Sequence, residues 1–230
     1  MSTDRTLRQV ALTHSLVGFA TCLSLIVFYA GADPFGTIND VGNAVFGLLT
    51  IPLAHQLTRT PPNAAGTVRS TASRTGSVAP PDTASQTAPR PAAGGGGTSG
   101  LRAGGGGRLG FGVVVVGAGV TVVGTVLVLS EMTGFYLAGL WSSFGFALIG
   151  VWLVVVHWHR SAELRRAGLV AGAVMMLGLI GVPGILMGLD DMDNAPAWAF
   201  VAGISWAGTY LLFPAWSLRL ARQDSPESVL

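Results

Sequence analysis

Lysine is absent from this 230-residue chain, whose 13 basic residues are all Arg. With it go the chemistries that need an ε-amino group: a P-loop or kinase-type phosphate lysine and a Schiff base. Cysteine is nearly absent too. Cys22 alone allows no intrachain disulfide, says nothing of redox compartment and reads as a small core residue. Charged residues are 10% of the chain, against roughly a quarter in soluble domains, while half the residues are hydrophobic. That balance is the balance of an integral membrane protein. No Asp, Glu or Arg falls in the middle of an apolar segment. This counts against a proton-coupled pump or antiporter and leaves room for a pore or carrier lined by Ser, Thr, Asn and backbone.

A membrane-crossing helix needs about 20 largely apolar residues. Six segments meet or approach this: Val10 to Ala32, Val41 to Leu57, Leu109 to Ser130, Phe135 to Val156, Gly168 to Leu189 and Pro196 to Leu218. The second is the weakest, being short and holding Asn43, Thr50, Pro52 and His55. The first also resembles a signal peptide, with Arg5 and Arg8 ahead of it and Ala30-Gly31-Ala32 at its end, but its apolar stretch exceeds the roughly 7–15 residues of an h-region, so it reads as a span. Every Arg falls on one side of these segments. Arg5 and Arg8 precede the first; Arg59, Arg69, Arg74, Arg90, Arg102 and Arg108 separate the second from the third; Arg160, Arg165 and Arg166 follow the fourth; Arg219 and Arg222 follow the sixth. The alternate connections hold Asp33, Asp40, Glu131, Asp190, Asp191 and Asp193 and no basic residue. By the positive-inside rule both termini are cytoplasmic, and without a crossing at the second segment the Arg distribution loses its sense.

The expected fold is therefore all-α: a polytopic bundle of six transmembrane helices with a disordered cytoplasmic insert. Residues 1–57 carry the first two spans, 58–108 the insert, 109–218 the other four spans, and 219–230 a cytoplasmic tail. The insert is rich in Pro, Ser, Thr and Gly, has Gly tetrads at 94–97 and 104–107, and cannot bury a core. As a coil of about 50 residues it reaches on the order of 40 Å, so the second and third spans need not be neighbours. It reads as a tether in preference to a phosphorylation-released membrane switch.

Small residues four apart mark helix-packing faces: Gly139, Ser143 and Ala147 in the fourth span, Gly168 and Gly172, then Gly184 and Gly188, in the fifth, and Ala199, Gly203 and Ala207 in the sixth. Gly181-Val182-Pro183-Gly184 should kink the fifth span. Tyr29, Tyr136, Trp141 and Trp198 read as anchors at the outer interface, Trp158 and Trp216 at the inner one. Val113 to Gly119 imitates a strand entering a dinucleotide-binding turn, but Val122 replaces the third Gly and the apolar run continues to Leu129, so the resemblance is a decoy.

His14, His55, His157 and His159 all map near the cytoplasmic ends of spans one, two and four, where converging imidazoles would make a metal or haem site. They lack a recognisable ligand spacing, and hydration at the interface accounts for each separately. The acidic turn Asp190, Asp191 and Asp193 lacks the pattern of a calcium loop and reads as solvated. No catalytic constellation stands out. The expectation is a non-enzymatic accessory, scaffold or small transport-related component of the cell membrane. It has no cofactor, and its partners are the lipid bilayer and a second copy or another membrane protein; nucleic acid is not among them. A small-solute carrier or channel, and a haem- or metal-binding redox protein, are the rivals.

Overall fold

The computed structural model describes residues 2–32, 34–59, 105–158, 162–193 and 195–223. Their regular structure is entirely helical and forms six rods. The first four are α1 (Ser2–Tyr29), α2 (Phe35–Arg59), α3 (Gly105–Leu129) and α4 (Phe135–His157). The fifth joins α5 (Ala162–Met176), a 3₁₀ stretch (Leu177–Gly181) and α6 (Val182–Leu186); the sixth joins α7 (Ala197–Ala207), a π-helical stretch (Gly208–Leu212) and α8 (Phe213–Gln223). The region 60–104, most of the 58–108 linker, lies outside the described residues.

Five rods are long and apolar enough to cross a membrane; α2, at 25 residues, has the length without the composition. Its polarity is confined to one face. Asn39, Asn43, Thr50, Leu53 and Leu57 are buried, whereas Ile38, Val41, Val45 and Leu48 are exposed. A helix that turns its amides inward and its aliphatics outward suits a hydrocarbon surround, since a water-soluble protein rarely leaves so continuous an apolar surface bare. Leu16, Leu23 and Ile26 of α1 and Val116, Val123 and Val126 of α3 are exposed in the same way. The helix also begins earlier than the apolar run suggests. It starts at Phe35, directly after Pro34, and so takes Asn39 and Asp40 out of the connection and into its second turn.

Each rod packs antiparallel on the next, and α8 returns to α1, closing a ring in chain order. The connection between α2 and α3 does not keep them apart: they pack together, and Thr125 donates to the Asp40 carbonyl at 2.8 Å. Antiparallel order brings Arg5, Arg8, Arg59, Arg108, Arg165, Arg166, Arg219 and Arg222 to one end, the Arg end, and Glu131 and Asp190 to the other, the acidic end. Phe46, Phe146, Trp152, Phe213 and Trp216 fill the ring's interior.

Small residues let the rods approach to backbone contact. A Cβ on Gly172 would lie 2.7 Å from the Gly150 carbonyl oxygen, and one on Gly117 would lie 2.6 Å from that of Gly145. A Cβ on Gly168 would lie 2.5 Å from the His157 ring, one on Gly184 would lie 2.8 Å from a Leu140 methyl, and one on Gly139 would lie 3.4 Å from the Trp206 ring. Ser143 accepts the Trp206 indole N–H at 2.8 Å. Gly203 and Gly188 have nothing within 4 Å, and Gly188 instead takes φ +63° at the end of α6, a left-handed turn open to glycine.

The last two rods are irregular next to their prolines. Pro183 has no N–H to give the preceding turn, and the helix tightens to 3₁₀ over Leu177–Gly181 before resuming. Pro214 has the same defect, and the π stretch Gly208–Leu212 precedes it, with the Phe213 N–H reaching back to the Gly208 carbonyl. A Cβ on Gly208 would lie 2.8 Å from Met175 N, so the π stretch packs closely on the end of α5.

At the acidic end Asp190 has a defined task. Gly134 precedes α4 without a capping side chain, and Asp190 supplies one from the other loop, accepting from Gly134 N at 2.7 Å and Leu137 N at 3.4 Å. It thus satisfies helix-end donors and places a negative charge against the positive end of the α4 dipole. Asp190→Ala should lower stability by about 1 kcal/mol and Asp190→Asn by less. Denaturation of the purified variants in detergent checks this; equal loss in both would assign the effect to charge in place of the cap.

Candidate functional site

Two groups of buried polar side chains occupy the ring, one towards each end. In the Arg-end half, α1 carries His14 into the interior, where it is fully buried. Its Nε2 lies 3.2 Å from Thr50 Oγ1 on α2, and its Nδ1 lies 2.8 Å from Ser217 Oγ on α8. Both hydroxyls also bond their own helix, Thr50 to the Phe46 carbonyl and Ser217 to that of Phe213. The ring packs between Phe46, at a centroid distance of 4.3 Å, and Phe213, at 4.6 Å. A neutral imidazole donates to one hydroxyl and accepts from the other, which then turns its single proton from the helix carbonyl to the ring; either tautomer allows this.

His157, at the end of α4, is also fully buried. Its Nδ1 is 2.9 Å from the Leu153 carbonyl oxygen, and Trp216 Nε1 donates to its Nε2 at 3.1 Å. An indole N–H only donates, so the network assigns the proton to Nδ1 and the lone pair to Nε2. His55 is half-buried, with its ring 5.9 Å from that of Phe111, and His159 lies outside the described residues. Among the described residues no three His, Cys, Asp or Glu side chains are placed to hold a metal ion. Both nitrogens of His14 and of His157 are engaged. Hydration at an interface is not the account of those two rings, because both are sealed inside and bonded to protein. Trp216 also departs from its expected place as an interfacial anchor. It is 1% exposed, bound to His157 and stacked with Phe213, whereas Trp158 is exposed at the helix end as an anchor should be.

The acidic-end half holds a cavity. Its wall comes from Leu25 of α1, Asn39, Asp40 and Asn43 of α2, Gly124 of α3, the stretch of α4 from Phe135 to Phe146, and Trp206, Thr209 and Tyr210 of the sixth rod. Its α4 lining residues fall between the first turn and the middle of the helix. The volume open to the centre of a water molecule is about 20 Å³, room for roughly one water. Asn39 lies beside the Asp40 carboxyl, and both asparagines lie beside the Tyr210 hydroxyl. Asn39 and Asn43 are 2% and 5% exposed, and the Oδ1 of each has no hydrogen-bond partner. Among the described residues of the wall Asp40 is the one carboxylate, and no basic side chain joins it.

Comparison with protein-family models, with curated proteins and with solved structures finds no match. The arrangement of side chains must therefore carry the functional reading.

Sequence reading passed over this cavity because it placed Asp40 in a connection and treated Asn43 as a defect in a weak span. The signal was present. Asn39, Asn43, Gly47 and Thr50 recur at spacings of four and three, and those positions share one face of a helix. The Val113–Gly119 imitation of a nucleotide turn is continuous helix in α3. At the Arg end a groove of about 270 Å³ opens between the last two rods, walled by Val170, Leu212, Ala215 and Trp216 and rimmed by Arg166 and Arg219.

Proposed function

We propose that this chain is a non-enzymatic multi-pass protein of the cell membrane, a small transport-related component, with α2 as a sixth span and with both termini and the 58–108 linker in the cytoplasm. The one-sided distribution of Arg supports the orientation, as does the Arg-rimmed groove, whose polar edge over an apolar wall suits anionic headgroups on the inner leaflet. Alternation of buried amides and lipid-ready aliphatics supports the crossing by α2.

The observation that carries the transport reading is the polar cavity of the acidic-end half. It extends to the middle of α4 and takes Thr209 and Tyr210 of its wall from a π-helical stretch. Non-regular helix at membrane depth is tolerated where it lines a cavity, and discontinuous helices are the usual walls of solute sites near the midplane. An accessory or scaffold protein gains nothing from orphan amide oxygens in its interior.

The test is accessibility of the cavity from both sides. In a Cys22→Ser background, Asn43→Cys is exposed to a small thiol reagent added outside sealed vesicles, and separately inside them. Modification from both sides is expected of a carrier that alternates its access. Modification from the outside alone, or from neither side, would favour a scaffold.

A further inference from the structure

The cavity wall is chemically lopsided. Asn39 and Asn43 each present a buried carbonyl-type oxygen with no donor, and Asp40 brings a carboxylate with no cationic side chain among the described residues of the wall to balance it. Ser142 and Ser143 line the opposite side from α4. The Ser143 oxygen is fixed in place by the indole N–H of Trp206 at 2.8 Å. All of these are hard oxygen donors, the ligand class of alkali and alkaline-earth cations and not of zinc, copper or iron.

We infer that this cavity binds a single monovalent metal cation of sodium-like size, with Asp40 as its counter-charge and the Asn39 and Asn43 carbonyl oxygens as ligands. The inference rests on the reading of the cavity as the functional site and names what enters it. Three considerations select that occupant. A water molecule would satisfy the amide oxygens but would leave the half-buried carboxylate uncompensated, and unpaired charge at this depth is costly. A divalent ion on one carboxylate would leave a net positive charge inside the bundle, whereas a monovalent ion leaves none. A volume of about 20 Å³ admits one small ion, far below the roughly 300 Å³ or more of an organic-ligand pocket. The asparagine pair, four residues apart on the buried face of α2, is the element that makes the site.

Thermal unfolding of the purified full-length protein tests this in sodium, potassium and choline chlorides at constant ionic strength. A ligand that binds only the folded state stabilises by mass action, so sodium should give a saturable rise in Tm of roughly 3–6 °C at ten times its dissociation constant. Potassium should act more weakly, and choline should not act. Asp40→Asn should melt at one temperature in all three salts and no lower than the parent in choline, because it removes an unbalanced charge. Asn43→Leu should also lose the response. Equilibrium binding of radioactive sodium to the parent, expected at one ion per chain and displaced by unlabelled sodium, decides the matter even where a variant fails to fold. A parent Tm identical in all salts with no bound sodium would leave the cavity to water and overturn the inference; a cation response that survives Asp40→Asn would overturn the assignment of the counter-charge. Neither outcome touches the thiol accessibility of the cavity from both sides, so a failed cation site and a failed transport reading are told apart.

Discussion

Gly172→Ala should lower the stability of the bundle by about 3 kcal/mol, the upper part of the range for overpacking a filled interior, and Gly172→Leu should lower it further. A single methyl suffices, because the Cβ would lie 2.7 Å from the Gly150 carbonyl oxygen and 2.8 Å from a Val154 methyl, and one of those neighbours is backbone. A backbone oxygen moves only with its helix, so α4 and α5 would have to separate along the seam. Gly184→Leu meets the mobile end of Leu140 at 2.8 Å and should cost less, about 1 kcal/mol. At Gly203, with nothing within 4 Å, Ala should be nearly neutral. Melting temperatures of the purified variants in detergent check the series. Gly172→Ala and Gly203→Ala melting together would show that the close approach carries no energy.

His14→Ala should cost about 3–4 kcal/mol, as for deletion of a buried aromatic. The loss lies mainly in the emptied space between Phe46 and Phe213, since Thr50 and Ser217 keep their bonds to the helix carbonyls. His14→Phe keeps the volume and drops the polar bonds, and should cost about 1 kcal/mol. Thr50→Val and Ser217→Ala should each cost roughly 0.6–1 kcal/mol, but the pair should exceed the sum. With either hydroxyl present the ring can choose a tautomer that donates to it; with neither, the ring N–H is left without a partner. If His14→Phe proved as damaging as His14→Ala, packing would not be the main contribution and a ligand role for the imidazole would return.

The composition made the all-helical, membrane-type architecture legible, because long apolar runs and a single-sided Arg pattern are signals of element type and need no knowledge of packing. The close seams were partly legible. Gly172 and Gly168 sit in a spacing-of-four stripe that faces a neighbour, while a Cβ at Gly203 would meet nothing, since sequence spacing states which residues share a face and not what lies opposite. The Gly117 contact with Gly145 and the Gly150 contact with Gly172 needed two helices at once. His14 and His157 were found as polar residues near helix ends, but their burial depended on Ser217 and Trp216, 203 and 59 residues away. The cavity at the acidic end was missed for a more basic reason. Its α2 wall lowers the apolarity of the very segment in which it sits, so the feature that makes the site also weakens the signal of the helix that carries it.

The proposed crossing of the membrane by α2, which turns the Arg end and the 58–108 linker towards the cytoplasm, is tested most directly by labelling single cysteines in a Cys22→Ser background with a membrane-impermeant maleimide. Met192→Cys, exposed at the acidic end, should label on intact cells, and Gly96→Cys in the linker should label only after the membrane is permeabilised. Labelling of Gly96→Cys on intact cells would contradict the account, removing either the sixth crossing or the orientation.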